Sequence, residues 1–382
     1  MSTTQAEVHA PSPPAIRHDY RLADNLEATR GQVFLTGTQA LVRLPLMQRA
    51  LDRAAGLNTA GFISGYRGSP LGGYDQQLWK AQALLDANQI RFMPAVNEEL
   101  GGTAVLGSQQ VESDPQRTVD GVFAIWYGKG PGVDRAGDAL HHGNIYGASP
   151  HGGVLAVVGD DHGCVSSSFP HQSDFTLQSW GMPLLNPANI AELLEFGLYG
   201  WALSRFCGCW VGLKAISETV ESGSTVDLDV LQTCFDKAVE FAPPAGGLHY
   251  RWPDLPSLGI EQRLAAKLDA ARAFAVANSV DRMICRSPAA DIGIVTCGKV
   301  HLDLLEAFRR LGISLAELEA AGVRWYKVGL SFPLEAGRMR AFAAGLKEIL
   351  VVEEKGPVVE RQIKDLLYNA DPARRPVVVG KT

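Results

Sequence analysis

The run Gly153-Val154-Leu155-Ala156-Val157-Val158-Gly159 decides the fold. Every side chain in it is apolar, so neither face of a strand formed here is suited to contact with water. A continuous run of this kind is expected of a strand that is covered on both faces, as strands in parallel sheets are. The polar residues Asp160-Asp161-His162 follow directly. The sequence therefore predicts a buried strand whose carboxyl end carries polar groups.

Strands and helices alternate on both sides of this run. Apart from the run itself, the patterns predict strands over 33–37, 59–64, 91–96, 121–127 and 209–214, and helices over 39–55, 76–89, 99–110 and 187–204. This alternation favours an α/β fold with a doubly wound, mainly parallel sheet.

The alternation weakens near Glu221 and restarts at Ala290. A long helix is expected over 261–277, and further strands are expected over 291–296, 323–328, 348–353 and 376–379. We therefore predict four segments, namely a disordered tail over 1–20, a first domain over 21–220, a connector over 221–287 and a smaller α/β domain over 288–382.

The composition is that of an ordinary globular protein and narrows the choice of partners. The chain is 46% hydrophobic and carries a net charge of −6, which predicts no face for nucleic acid. No stretch reaches the roughly 20 apolar residues of a membrane helix, and the polar, Pro-rich start lacks the apolar segment of a secretory signal. The six cysteines form no CxxC pair, which favours reduced thiols in a cytoplasmic protein.

A pair of carboxylates stands between a predicted strand and a predicted helix. Glu98 and Glu99 lead into a helix that is rich in small residues, among them Gly101 and Gly107. A carboxylate at a strand end, facing little side-chain bulk, is well placed to share a proton with a flat heterocycle. The alternative is that one of the two caps the helix start, where negative charge is favoured.

Two glycine-rich loops follow predicted strands. The loop from Gly65 to Gly73 permits close backbone approach and offers the Ser69 hydroxyl at a strand end, where open α/β sheets bind ligands. It is not a Walker loop, because no GK[ST] follows its glycines. The stretch Gly128-Lys129-Gly130-Pro131-Gly132-Val133-Asp134-Arg135 combines glycines with two cations suited to a carboxylate or phosphate. A tight turn and a solvated surface loop are the respective alternatives.

The polar segment after the deciding strand is open to several interpretations. Asp160, His162 and Cys164, with the serines at 166–168, could suggest a metal site or a nucleophile. No spacing fits a closed zinc site, so no metal ligands are predicted in this chain. Cys207 and Cys209 are interpreted as buried thiols.

Four of these segments, in this order, resemble one family. They are Gly65 to Pro70, Val96 to Glu98, Gly128 to Arg135, and Gly159 to His162 with the serine run that follows. Together they resemble the large fused form of the indolepyruvate ferredoxin oxidoreductases, which are thiamine-diphosphate-dependent 2-oxoacid:ferredoxin oxidoreductases. The resemblance is good over about 30–220 and weaker over 290–382. It implies a pyrimidine-binding domain followed by a transketolase C-terminal-like domain.

The resemblance also implies roles for particular residues. Glu98 matches the glutamate that hydrogen-bonds N1′ of the thiamine aminopyrimidine, and it does so better than Glu99 because Gly107 follows it by nine residues. Many relatives carry Pro where this chain has Arg67. The candidates for substrate binding are Ser69, Tyr66 and Arg135, and those for cofactor binding, besides Glu98, are Gly68, Gly128 and Lys129.

Other parts of the family pattern are absent from the chain. The diphosphate and Mg²⁺ motif begins Gly-Asp-Gly, whereas the third residue here is Asp161, and the iron–sulfur CxxC groups are missing. The chain also stops soon after its last predicted strand. We therefore expect thiamine diphosphate to be held here by its pyrimidine side only. Mg²⁺ and a [4Fe–4S] cluster would belong to a C-terminal remainder or a partner subunit that carries the diphosphate-binding domain.

The resemblance implies a reaction and its participants. Indolepyruvate, or another aryl or branched-chain 2-oxoacid, would be oxidatively decarboxylated with CoA to the acyl-CoA, and ferredoxin would take the electrons. A homodimer is expected. Two alternatives stay open, namely half of a non-oxidative thiamine-dependent decarboxylase or carboligase, and a non-catalytic dimerising scaffold.

Overall fold

The computed structural model describes residues 18–164, 168–254 and 257–382 of the chain. The predicted disordered tail over 1–20 lies outside this part except for its last three residues, and the predicted serine run lies outside it except for Ser168. None of the described helices is long and apolar enough to cross a membrane.

The strands and helices follow one another through most of the chain. The described strands are β1 (Gln32–Thr36), β2 (Ala60–Gly65), β3 (Ile90–Phe92), β4 (Val122–Lys129), β5 (Val154–Asp160), β6 (Leu184–Leu185), β7 (Val211–Ile216), β8 (Gly223–Asp227), β9 (Arg282–Arg286), β10 (Ile292–Cys297), β11 (Val323–Val328), β12 (Leu330–Phe332), β13 (Glu348–Val352) and β14 (Val377–Val379). The described α-helices are α1 (Asp24–Glu27), α2 (Gly37–Ala54), α3 (Tyr74–Lys80), α4 (Gln82–Ala87), α5 (Glu98–Ser108), α6 (Gly130–Arg135), α7 (Gly137–Tyr146), α8 (Asp174–Ser179), α9 (Ile190–Cys207), α10 (Ser217–Val220), α11 (Gly259–Ala277), α12 (Val300–Leu311), α13 (Leu315–Ala320), α14 (Ala336–Ala343) and α15 (Val359–Leu367).

The larger sheet has seven strands in the order β12-β6-β7-β5-β4-β2-β3. Its strands from β6 to β3 are parallel, and the short β12 is antiparallel to β6. The deciding run forms β5 near the centre, and all of its residues are buried. The prediction of a doubly wound, mainly parallel sheet is confirmed.

Successive side chains of the central strands enter two different cores. Leu155 and Val157 of β5 join the core that contains α2 and α9, while Ala156 and Val158 join the core that contains α5 and α7. Side chains of a strand alternate between faces, so a strand with a core on each side must be apolar throughout. This explains the continuous apolar run.

The second sheet has five strands in the order β14-β13-β10-β11-β9. Four of them are parallel, and the edge strand β9 is antiparallel to β11. β12 follows β11 after Gly329 and joins the first sheet, so the chain links the two sheets directly. A separate two-stranded sheet pairs β1 with β8.

Candidate active site

The carboxyl ends of the parallel strands β2, β4, β5 and β7 meet at one edge of the larger sheet. In open α/β sheets this edge is where ligands bind. The loop after β2, the end of β4 and the helix α6 that follows it carry most of the residues that the sequence singles out, and the two strands are neighbours in the sheet. The candidate site is therefore built on this edge.

Glu98 is fixed at the start of α5. Asn97 caps the helix, its side chain accepting a hydrogen bond from Leu100 N at 2.9 Å. Trp126 Nε1 on β4 donates to the backbone oxygen of Glu98, also at 2.9 Å. Glu98 is only 5% exposed, whereas Glu99 is exposed. Of the two adjacent carboxylates, Glu98 is therefore the one that the fold holds inside.

The prediction that this glutamate ends a strand is wrong in its local detail. β3 stops at Phe92, and Glu98 is the first residue of the helix. The segment between them still follows the end of β2, because Met93 N donates to Ile63 O and Ala95 N donates to Gly65 O. Glu98 therefore reaches the carboxyl edge from the helix side.

Helix α6 separates Glu98 from His171. A Cβ on Gly132 would lie 2.8 Å from Glu98 Oε1, and a Cβ on Gly130 would overlap the His171 ring. Only glycine permits such close approach at these two positions. The predicted loop over 128–135 is thus partly a helix whose glycines accommodate the two side chains.

Arg135, at the end of α6, is the charged group that pairs with Glu98. Its Nε lies 3.7 Å from Glu98 Oε2, and its side chain is 60% exposed. The distance is longer than a hydrogen bond, so the pairing leaves the carboxylate oxygens available to another donor. The structure brings these two predicted residues together.

The other predicted residues lie around the ends of β2 and β4. Tyr66 N donates to Tyr127 O at 3.1 Å, which ties the loop after β2 to β4. Gly68 packs against the aliphatic part of Lys129, where a Cβ would lie 2.6 Å from Cδ. Ser69 is half-buried and precedes a cis peptide bond to Pro70, and Gly128 packs against the indole of Trp126. The roles of these residues remain predictions.

A buried ionic network that the sequence analysis did not predict lies beside α6. Asp160, at the end of β5, accepts hydrogen bonds from Ser173 N at 2.9 Å and Ser173 Oγ at 2.8 Å. His171 lies between Asp160, 3.3 Å from its Nδ1, and Asp134 of α6, 2.8 Å from its Nε2. Lys214 of β7 also lies beside Asp160, at 3.8 Å, and pairs with Asp174 at 2.5 Å.

The charges of this network support one another. Burial acts to raise the pKa of Asp160, but the hydrogen bond from His171 and the charge of Lys214 lower it to about 2. The hydrogen bond to Asp160 raises the pKa of His171 against the effect of burial, and Asp134 raises it further. Burial lowers the pKa of Lys214, but the more powerful combined effect of Asp174 and Asp160 raises it. The network is therefore a set of compensated charges that joins α6 to β5 and β7.

One sequence signal for this network exists. Lys214 interrupts the otherwise apolar strand β7, and a lysine in a strand buried on both faces requires an acidic partner. Its partner Asp174, and His171, which lies between Asp160 and Asp134, are in irregular sequence with no comparable signal. Among the described residues, no group of three or more His, Cys, Asp or Glu side chains is arranged to hold a metal ion.

Comparison with known proteins gives related sequences over most of the chain. Residues 282–382 match the family described as the indolepyruvate oxidoreductase domain. The chain is 24% identical to indolepyruvate oxidoreductase subunit IorA of Methanothermobacter thermautotrophicus over 349 residues, which are 90% of this chain and 50% of that protein. It is 25% identical to the subunit of the same name from Pyrococcus abyssi, over 87% of this chain and 47% of that protein. The chain thus spans about half the length of the curated relatives it matches.

Solved structures show the same fold at low sequence identity. A 2-oxoglutarate:ferredoxin oxidoreductase from Magnetococcus marinus has a TM-score of 0.62 and 15% identity, covering 92% of this chain and 62% of that chain. A split-gene transketolase, described as an inactive beta4 tetramer, has a TM-score of 0.55 and 13% identity, covering 91% and 90%. The sequence matches confirm the family resemblance that the motifs predict, and the structures confirm the fold class.

Proposed function

We propose that this chain, a relative of the indolepyruvate oxidoreductases, forms the pyrimidine-binding half of a thiamine-diphosphate-dependent 2-oxoacid:ferredoxin oxidoreductase. The complete enzyme would decarboxylate indolepyruvate, or another aryl or branched-chain 2-oxoacid, and transfer the acyl group to CoA and the electrons to ferredoxin. The observation that carries the proposal is the Glu98 carboxylate, which is buried at the carboxyl edge of the sheet against Gly132 and lies 3.7 Å from Arg135, too far for a hydrogen bond.

The residues present fit the pyrimidine side of thiamine diphosphate. The Glu98 carboxylate packs against Gly132, where a Cβ would lie 2.8 Å from Oε1, so the absence of a side chain at residue 132 sets the position of the carboxylate. Within the described residues, the pairing of the carboxylate with Arg135 is too long for a hydrogen bond, so the carboxylate can engage a ring nitrogen. When bound, thiamine diphosphate supplies a nucleophilic carbon and accepts the electrons released as CO₂ leaves.

The protein groups have separate tasks in this proposal. Glu98 shares a proton with the ring nitrogen N1′ and keeps the heterocycle oriented. Arg135, mostly exposed beside it, attracts the carboxylate of the 2-oxoacid. Ser69, assisted by Tyr66, contacts the substrate, while Gly68, Gly128 and Lys129 line the approach of the cofactor.

The exposed apolar side chains around Glu98 support the proposal that a second polypeptide segment covers this edge of the sheet. Val96 is 81% exposed and Leu100 is 52% exposed, although both are large, apolar and close to Glu98 in the chain. Met93 and Tyr66 are also exposed nearby. Apolar side chains grouped on a surface mark an interaction site. The proposed occupant is the diphosphate-binding domain, which brings Mg²⁺, while the [4Fe–4S] cluster belongs to the same remainder or partner. A homodimer would pair two such sites.

The test is an assay of the chain together with the polypeptide that supplies the diphosphate-binding domain. Indolepyruvate, phenylpyruvate and 4-methyl-2-oxopentanoate are offered with CoA, Mg²⁺, thiamine diphosphate and a viologen acceptor. We expect two equivalents of reduced viologen for each acyl-CoA formed from at least one substrate, because the reaction releases two electrons and a viologen accepts one, and no product from the 382-residue chain alone.

Two other outcomes would overturn the proposal. An aldehyde or a carboligation product formed without viologen reduction would identify a non-oxidative enzyme. If the chain assembles with its partner but leaves every 2-oxoacid unchanged, it is a scaffold.

A further inference from the structure

A cavity of about 490 Å³ lies on the five-stranded sheet, well within the size range of small-molecule sites. Strands β9 and β11 and helix α14 line it, and it is open to solvent. Its polar lining is dominated by three arginines, with Met283, Tyr326 and Phe342 as the main apolar contributors. This site is independent of the function proposed above.

Two of the arginines face each other across the sheet. Arg286 of β9 and Arg324 of β11 are register partners on antiparallel strands. Like charges at directly opposite positions destabilise a sheet. Arg338 of α14 adds a third guanidinium to the same cavity. Three positive charges in one cavity favour the binding of an anion.

The protein itself provides little negative charge to offset them. Arg324 donates to the carbonyl oxygens of Ser287, Phe342 and Ala344, which fix its position but leave its charge. Arg338 donates to the carbonyl oxygen of Val276 at 2.8 Å, and its acidic partner, Glu335, lies 3.8 Å away. Within the described residues, no acidic side chain pairs with the Arg286 guanidinium.

The one carboxylate in the lining is already engaged. Asp281 accepts hydrogen bonds from Tyr326 Oη at 3.0 Å and from Gly329 N at 2.7 Å. Burial raises the pKa of this carboxyl, and even in its ionised form it offsets only one of the three arginine charges. Asp281 therefore leaves the excess of positive charge in the cavity largely intact.

The floor of the cavity suits a flat or apolar group. The rings of Tyr326 and Phe342 pack with their centroids 5.5 Å apart, and Met283 and Ala341 extend this surface. Guanidinium groups match phosphate oxygens in bidentate geometry. We propose that this cavity binds an organic phosphate, with the phosphate at the arginines and a flat ring on the floor.

The test is calorimetric titration of the full 382-residue chain with ADP, inorganic phosphate, adenosine and phenylacetate. We expect ADP to bind with a Kd of about 1 mM or tighter, inorganic phosphate more weakly, and adenosine not measurably. Arg286→Gln should weaken ADP binding at least about tenfold, because a charged hydrogen-bond donor is lost.

The matched control is Arg309→Gln, which removes the same charge from the exposed face of α12 and should leave ADP binding unchanged. Because Arg286 is exposed, its variant is expected to fold, and an unchanged melting temperature checks this. The proposal is overturned if the wild-type chain binds neither ADP nor phosphate, or if it prefers phenylacetate. Equal affinities for ADP in the two folded variants would also overturn it.

Discussion

Gly132 sets the position of the Glu98 side chain. The helix start fixes the backbone of Glu98, and the missing side chain of Gly132 leaves the space that its carboxylate occupies. The atoms that a new Cβ would meet belong to the flexible end of Glu98. Enlarging residue 132 is therefore expected to move the carboxylate and not to unfold the protein.

We predict that Gly132→Ala lowers kcat of the assembled enzyme by roughly 10²-fold, because a shift of about 1 Å in a catalytic group has an effect of this size. Gly107→Ala is the matched control, since a Cβ there meets nothing within 4 Å. It should retain activity and stabilise α5 by up to about 1 kcal/mol, as replacement of a helical glycine does. Steady-state kinetics and thermal unfolding of both variants provide the measurement. Equal activity of the two would show that the position of the Glu98 carboxylate against residue 132 does not matter for the reaction.

Helix α6 is the element on which the site depends, because it contacts Glu98 on one side and His171 on the other. Both ring nitrogens of His171 face carboxylates, at 2.8 Å and 3.3 Å. Ionised carboxylates only accept hydrogen bonds, so this geometry favours the imidazolium form, in which both nitrogens carry a proton. This cation joins Asp134 of α6 to Asp160 of β5, and the three residues together are called the imidazolium clamp.

The clamp predicts a pH-dependent stability. Because the pKa of His171 is raised in the folded state, its contribution is complete below the ordinary value of about 6.5 and is lost as the pH rises through the raised value. On the acid side, the contribution of Asp160 is lost only as the pH falls from about 4 towards 2. The difference in melting temperature between wild type and His171→Gln should be largest near pH 5–6 and should shrink by pH 9.

His142→Gln, at an exposed position of α7, controls for the loss of a histidine as such. A difference between wild type and His171→Gln that stays constant, or that grows with pH, would contradict the imidazolium clamp.

Sequence patterns predict the long apolar strands well and the short or arginine-containing strands poorly. The strands expected over 121–127, 153–159 and 209–214 lie within two residues of β4, β5 and β7 at every end, because long apolar runs have few alternatives. Strand β9 was missed because arginines occupy both of its ends, and β12 because it has three residues. Strand β3 ends at Phe92, although the pattern predicts a strand over 91–96. Glu98 is therefore separated from the strand and is the first residue of α5.

The candidate site was predicted only in part, and the reason is spatial. Glu98 and Arg135 were identified separately, but their pairing depends on how α5 packs beside α6. The clamp through His171 joins segments that are far apart in sequence and have no shared motif. Its arrangement requires the three-dimensional fold.

At the scale of the whole molecule, the two sheets are joined by more than a linker. Strand β12 extends the larger sheet, and the buried Lys327 of β11 pairs with Glu192 of α9. Arg282 of β9 also pairs with Glu195 of α9, at 2.7 Å. Buried ion pairs constrain geometry strongly, because separating the partners leaves a charge uncompensated. The second sheet therefore holds a fixed position beside the sheet that carries Glu98.

The role proposed for Glu98 in the complete enzyme is tested most directly by the rate at which the C2 proton of bound thiamine diphosphate exchanges with deuterated solvent. We predict that Glu98→Gln slows this exchange and lowers kcat by roughly 10²–10⁴-fold, the range for a positioned acid–base group, while the protein stays folded. Glu99→Gln, at the exposed neighbour, should exchange like wild type. Slow exchange in Glu99→Gln with normal exchange in Glu98→Gln would show that Glu99, and not Glu98, has this role. Normal exchange in both variants would contradict the assignment of the cofactor.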